Sequence, residues 1–153
     1  MTNDAESPGG HTLQYERIIK LTLKGIPLAK MRSRKGGNHW YNPQSVEMER
    51  DRRLLRQQLP VDFYPAQSYI PVVVNTTWFF PPNKVEMKQK KFLDLIRDET
   101  YPYIKKPDLD NLDKYIKDIM SGLIYFDDKQ IYGSIINKFY TIDNPRAEIE
   151  VMW

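Results

Sequence analysis

The sequence has no cysteine and only two histidines, His11 and His39. The first absence excludes a disulfide framework and every thiolate zinc site. The second leaves a histidine-rich metal centre without enough ligands. A chain without thiols suits a reducing compartment, so a cytoplasmic location is the expectation. No apolar run approaches the roughly 20 residues that cross a bilayer. Met1 to His11 has no apolar segment and lacks the form of a secretory signal. No internal repeat or low-complexity tract is present. What remains is 153 residues, 41% hydrophobic and 28% charged, the make-up of one soluble globular domain with a single core.

Net charge is +3, but it is unevenly spread. Arg17 to Gln58 carries 11 Lys+Arg against 3 Asp+Glu, and Lys84 to Lys106 carries 7 against 4. Pro107 to Trp153 reverses the balance, with 5 against 9. A basic first two-thirds attracts a polyanion, while clustered carboxylates either hold a hard cation or are merely solvated.

Met1 to Gln14 is polar, contains Pro8-Gly9-Gly10 and reads as a mobile tail ahead of a single domain over 15–153. Arg17 to Leu23 alternates, with Ile19, Leu21 and Leu23 on one face, and predicts a strand. Gly25 to Asn42 reads as a basic loop. Asn42-Pro43 reads as an N-cap and first helical position, opening a helix that runs to Leu59 and stops at Pro60. Ile70 to Phe80 is a second strand by composition. Lys84 to Asp98 predicts a helix with Val85, Phe92, Leu95 and Ile96 on its apolar side, and Tyr101 to Pro107 an extended linker. A helix opening at Asp108 or Asp110 puts Leu112, Tyr115, Ile116, Ile119, Met120 and Leu123 within an arc of about 140° and ends near Gly122. Ile131 to Tyr140 and Ala147 to Trp153 read as strands. The order β-α-β-α-α-β-β predicts an α+β fold: a small mixed β-sheet of about four strands with two to three helices packed on it.

The chemistry concentrates in Lys106-Pro107-Asp108-Leu109-Asp110-Asn111-Leu112-Asp113-Lys114 and in Asp127-Asp128-Lys129-Gln130-Ile131. Asp108 and Asp110 are two apart in an extended turn, so both can face one side, and the helix dipole favours a carboxylate at Asp110. If the helix packs antiparallel to the following strand, Asp127 and Asp128 return near a helix end; spacing alone does not say which. Like charges held close together raise one another's pKa, and a divalent cation removes that penalty. Magnesium takes oxygen ligands and retains waters beside substrate phosphate, where it polarises the phosphate and activates water. Lys114, one turn after Asp110, reaches the same face and could stabilise charge on phosphate. Each residue also has an ordinary role: Asp108 in a turn, Asp110 as a cap, Asp127-Asp128 in a solvated loop, Lys114 as an i,i+4 partner of Asp110.

Pro-Asp-Leu-Asp-Asn-Leu-x-Lys, then Asp118, a glycine, and Asp-Asp-x-Gln-Ile together resemble the signature of the RusA family of Holliday junction resolvases. The matched stretch runs from Lys106 to Ile131; Pro27 to Arg34 is similar to the basic loop after that family's first strand but lacks a second proline. The resemblance implies a RusA-like fold and a homodimeric crossover junction endodeoxyribonuclease, a hydrolase of DNA recombination and repair. It implies dependence on Mg²⁺, with Mn²⁺ as a substitute, paired nicks in four-way junctions and 5′-phosphate ends. Carried over by position, the metal ligands are Asp108, Asp110 and Asp128, with Asp127 as the alternative in the acidic pair, and the essential lysine is Lys114. Asp118 matches a further acidic position and is either a metal neighbour or a solvated partner of Lys114. Relatives are often carried by phages or prophages, which implies the cytoplasm of a bacterial or phage-infected cell.

Branched DNA is the expected partner, with no membrane. Candidate phosphate contacts are Lys30, Arg32, Arg34, Lys35, Arg52, Arg53 and Arg56, and, in a segment longer than a minimal family core needs, Lys88, Lys90 and Lys91. His39, Trp40 and Tyr41 interleave the first group. The two aromatics either stack on exposed bases or pack over the sheet edge. Two alternatives share these residues: a catalytically silent DNA-binding or regulatory protein of the same fold, and a metal-dependent nuclease for flap DNA or RNA.

Overall fold

The computed structural model describes residues 15–153; the tail expected over 1–14 lies outside the described residues. The elements are β1 (Ile18–Lys24), β2 (Arg34–Gly36), β3 (His39–Tyr41), α1 (Ser45–Gln58), β4 (Val72–Phe80), α2 (Lys90–Ile96), α3 (Leu109–Met120), β5 (Ile131–Tyr140) and β6 (Arg146–Met152). Single 3₁₀ turns lie at Glu86–Lys88 and Asp128–Gln130.

The main sheet has the order β1-β6-β4-β5. β6 is antiparallel to both β1 and β4, while β4 and β5 are parallel. A parallel pair needs a crossover, and here residues 81–130, including α2 and α3, make it. Strand alternation turns Leu21 and Leu23, Val72, Val74, Trp78 and Phe80, and Ala147, Ile149 and Val151 into one core. Against them α3 lays the stripe its sequence predicts, Leu112, Tyr115, Ile116, Ile119 and Met120, all essentially inaccessible. Each such side chain contributes about 1.5–3 kcal/mol by leaving water, so α3 is fixed in rotation about its own axis. That rotation decides where its aspartates stand. Among the described residues no helix is long and apolar enough to cross a membrane.

Three sequence expectations change. The basic loop over Gly25 to Asn42 contains a hairpin of β2 and β3. Gly37-Asn38 is its two-residue turn, and Gly37 takes the positive φ, +61°, that such turns require. The strands are only three residues each and fully exposed, so they carry no apolar alternation to read. The helix expected over Lys84 to Asp98 is divided at Gln89, whose backbone is extended. The Asn83 side chain accepts from the N–H groups of Val85 and Glu86, and Glu86 accepts from Asn83 N–H, which ties off a separate first turn. Glu86 also meets Lys105 and Tyr140. Finally, α1 begins at Ser45 with Gln44 as N-cap rather than at Asn42-Pro43. Asn42 Oδ1 accepts from Gln44 N–H at 3.0 Å, closing a turn before the helix. The Gln44 side chain meanwhile binds Met31 N–H and Ala29 C=O.

Helices α1 and α3 are bolted together by polar contacts. Tyr115 donates to Asp51 Oδ2 at 2.7 Å, and Arg50 pairs with the other oxygen at 2.8 Å. Burial and this carboxylate raise the Tyr115 hydroxyl pKa. Asp51→Ala would leave the buried hydroxyl unpaired. The expected cost is about 1–3 kcal/mol, seen as a lower urea midpoint at unchanged slope.

Candidate active site

Asp108 is the N-cap of α3, with ψ of 150°, yet its carboxylate makes no capping hydrogen bond. Asp110 follows in the first turn. Both are exposed, and neither forms an ion pair among the described residues. An aspartate at this position ordinarily accepts from the N–H two or three residues on. Here its oxygens are left open instead.

The turn ahead of Asp108 is anchored by Lys138, a residue the sequence reading missed. Its ammonium donates to the carbonyls of Lys105 and Pro107, both at 2.7 Å. Burial holds Lys138 below the usual lysine pKa, and the Asp108 charge partly offsets this. The signal was present: Lys138 shares strand parity with Ile136 and Tyr140, so it is a charge on the inward stripe of β5.

The second acidic stretch is built differently. Asp127 Oδ1 accepts from Lys129 N–H at 3.0 Å, and that bond holds its pKa below the usual carboxylate range. Gln130, which is buried, completes a capping box. Its carbonyl oxygen accepts from the N–H groups of Phe126 and Asp127, and its amide donates to Gln67 and Ile70. Asp127 therefore serves the backbone, whereas Asp128 has no ion-pair partner among the described residues. Asp128 adds its charge, with Asp113 and Asp118, to the neighbourhood of Tyr125, whose pKa is raised first by burial and then by these carboxylates.

The two stretches lie at opposite ends of β5. Lys138 and Phe139, near its C-terminus, face the groove that also holds Asp108 and Leu109. Asp128 immediately precedes Ile131, its first residue. From Ile131 to Lys138 a strand covers about 23 Å, at about 3.3 Å per residue. Helix α3 runs back antiparallel to that strand and covers about 18 Å. The single pocket of three carboxylates expected from the sequence is not formed within one chain. Among the described residues, no three His, Asp or Glu side chains stand where they could share a metal ion. The question that spacing left open is settled: Asp127-Asp128 return to the C-terminal end of α3, away from Asp108 and Asp110.

The remaining candidates divide by partner. Lys114 is exposed, with no ion pair to Asp110 or Asp118. Asp118 instead meets Lys30 at 3.1 Å, and Lys117 meets Asp113 at 2.6 Å. Arg52 donates to the carbonyls of Ile119 and Ser121, at 3.1 and 2.7 Å, and so closes the C-terminus of α3. Its charge is placed on structure rather than left for phosphate. Arg32, Arg34, Lys35, Arg53, Arg56, Lys88, Lys90 and Lys91 are exposed, and no ion pair engages them among the described residues. His39 and Tyr41 are also exposed, and Trp40 is 71% accessible, so the aromatics do not pack over the sheet edge.

The sequence model of the family described as Endodeoxyribonuclease RusA matches residues 24–152, and the chain belongs to that family. It is also similar to the uncharacterized protein YqaN of Bacillus subtilis (strain 168), 38% identical over 69 residues. That match covers 45% of this chain and 44% of YqaN, less than half of the relative's length.

Gln130→Leu strands two donors and two acceptors around the Asp127-Asp128 turn. It is expected to destabilise the protein by about 1–3 kcal/mol. Amide exchange should show where: Phe126 and Asp127 lose protection, while the α3 amides, held by their own ladder, change far less.

Proposed function

We propose that the protein is a Mg²⁺-dependent endonuclease that resolves four-way DNA junctions as a homodimer in DNA recombination and repair, inside the cytoplasm. The observation that carries this is the sorting of the aspartates. Within the two acidic stretches, Asp113, Asp118 and Asp127 have a cation or backbone N–H as partner, although Asp113 Oδ1 is buried without one, while Asp108, Asp110 and Asp128 have no ion-pair partner among the described residues. An all-carboxylate donor set fits a hard cation. One chain offers two such groups at one end of β5 and the third at the other. The set becomes complete when a second copy brings its opposite end, so each dimer would hold two shared sites, which suits paired nicks.

In this reading Asp108 and Asp110 of one subunit, with Asp128 of the partner subunit, hold the cation. When bound, the metal supplies charge neutralisation at the scissile phosphate and activation of water. Lys138 fixes the turn that aims Asp108. Lys114, free of ion pairs, is placed to bind a phosphate oxygen and stabilise charge as the bond breaks. The exposed cations of the hairpin and of α1 take up flanking phosphates, and Trp40 and Tyr41 are available for unpaired bases at the branch point. The loop leading to the hairpin is joined to α3 by Lys30 N–H donating to Asn111 C=O at 2.8 Å, so the basic surface begins beside Asp110. Lys88, Lys90 and Lys91 extend it.

Purified protein with a synthetic four-way junction and Mg²⁺ is expected to give symmetric nicks that EDTA abolishes, with little cutting of flap, linear duplex or RNA. Binding without nicks would favour a silent binder, and a flap or RNA preference would favour the other nuclease. Asp110→Asn and Asp128→Asn should each lose cleavage by at least about 100-fold, the order seen when one transition-state contact is removed, yet shift junction DNA as well as the wild type or better. The sharing is tested by mixing. Two inactive homodimers, one of each variant, should regain single-strand nicking when exchanged into heterodimers, because one of the two sites is then intact. If each chain carried its own complete site, the mixture would stay inactive.

A further inference from the structure

We infer that the open groove between the Asp108 turn and the C-terminal end of β5 is a nucleobase subsite, which takes one unstacked base of the strand being cut, next to the scissile phosphate. The inference deepens the nuclease reading and rests on it for the identity of the ligand.

The groove has a volume of about 510 Å³. Its lining is mainly apolar, with Ile104, Leu109, Ile136 and Phe139, and Asp108 is part of it. No packing within the chain accounts for two of these side chains. Leu109 lies on the line of α3 that Leu112 and Ile116 continue, yet it is 41% accessible while both of those are fully buried. The apolar stripe of the helix therefore runs on past the core. In the linker ahead of the turn, Tyr103 stacks on Phe80 at 4.5 Å. Successive side chains of an extended segment point to opposite sides, and Ile104 is 90% accessible. Asn137 adds an exposed amide that no side-chain hydrogen bond engages among the described residues. Lys106, exposed and without an ion pair, adds positive charge just before Asp108.

Ligand sites combine an apolar lining with a few polar groups that orient what they hold. A nucleotide matches this mixture: its base has apolar faces and a polar edge, and it is tied to a phosphate. With the scissile phosphate at the Asp108–Asp110 end of α3, the adjoining base meets Leu109, which stands between the two aspartates in the chain. In intact duplex that base is paired and stacked, and entry to the groove requires breaking both. Extraction is cheapest where pairing is already disturbed, as it is at a branch point. The subsite therefore favours branched DNA over linear duplex, and Asn137 at the base edge makes cutting depend on which base is there.

Four-way junctions with an abasic residue at each nucleotide around the branch point, one at a time, test this. Nicking is followed in Mg²⁺, and binding in the Asp110→Asn background. Loss of one base flanking the cut is expected to weaken both by about 10-fold, the order of one stacked base. Ile104→Ser removes an apolar wall without adding charge, and its exposure leaves the far-ultraviolet dichroism unchanged. It should lose most of that factor on intact junctions and little more on the abasic one. Asn137→Ala should narrow the spread of rates among junctions that differ only at that base. Losses from Ile104→Ser and from the abasic residue that simply multiply overturn the inference. So does an Ile104→Ser protein that sediments at half the wild-type mass, since the groove then seats a second copy. If junctions are nicked with multiplying losses, the nuclease reading stands and the groove holds no base. Base-dependent binding that vanishes in Ile104→Ser, by a protein that nicks nothing, establishes the subsite and sinks the nuclease reading. A protein that binds no junction loses both.

Discussion

The antiparallel run of α3 and β5 governs everything else in this molecule. Five buried side chains fix α3 against the sheet, and the parallel pairing of β4 with β5 fixes the strand beneath it. Neither can rotate or slide without exposing core, so the two halves of the acidic motif are held toward opposite ends of α3. The motif looks compact in sequence, with Asp110 and Asp128 only 18 residues apart. In space, the helix that joins them is also the rod that separates them. Among the described residues no three of these carboxylates stand where they could share a metal ion, so a site using all three would need a second chain.

Charge then sorts the residues that topology has placed. An aspartate beside a lysine or a backbone N–H is neutralised already and gains little from a cation. Asp118 against Lys30 and Asp127 against Lys129 N–H are of this kind; Asp113 meets Lys117 through one oxygen while the other, Oδ1, is buried without a partner. Asp127 and Asp128 are adjacent in sequence and chemically identical, yet only Asp127 accepts from Lys129 N–H. The distinction that position in a motif could not make follows from one hydrogen bond. The same sorting divides the cations. Arg52 is drawn onto the last carbonyls of α3, where a positive charge meets the negative end of the helix dipole, whereas Arg53 beside it stays in water.

Much of the fold was legible in the sequence. The apolar stripe of α3, the alternation of β1 and β6 and the β-branched run of β4 are each dictated by burial against the core, and burial leaves a period that can be counted. Elements that bury nothing left no such trace. The hairpin of β2 and β3 has no buried residue, and its only signal was Gly37-Asn38. The break at Gln89 arises from Asn83 and Glu86 completing a local cap, a contest between two hydrogen-bonding patterns that propensity does not weigh. For the site, the identities Asp108, Asp110, Asp128 and Lys114 could be carried by resemblance. Their separation could not, because it depends on which end of α3 the chain returns to.

Lys138 shows how stability and function are joined here. A lysine on the inward stripe of an edge strand is costly to bury, and its lowered pKa records that cost. The ammonium recovers part of it by donating to two carbonyls of one turn, which makes the turn rigid. An apolar residue at 138 would pack more cheaply but would leave the Lys105 and Pro107 carbonyls without donors and the Asp108 turn free to drift. A metal ligand must hold its place to a fraction of an ångström, so if Asp108 binds a cation, a half-buried ammonium behind it trades core stability for aim. One residue therefore steadies the turn that carries Asp108.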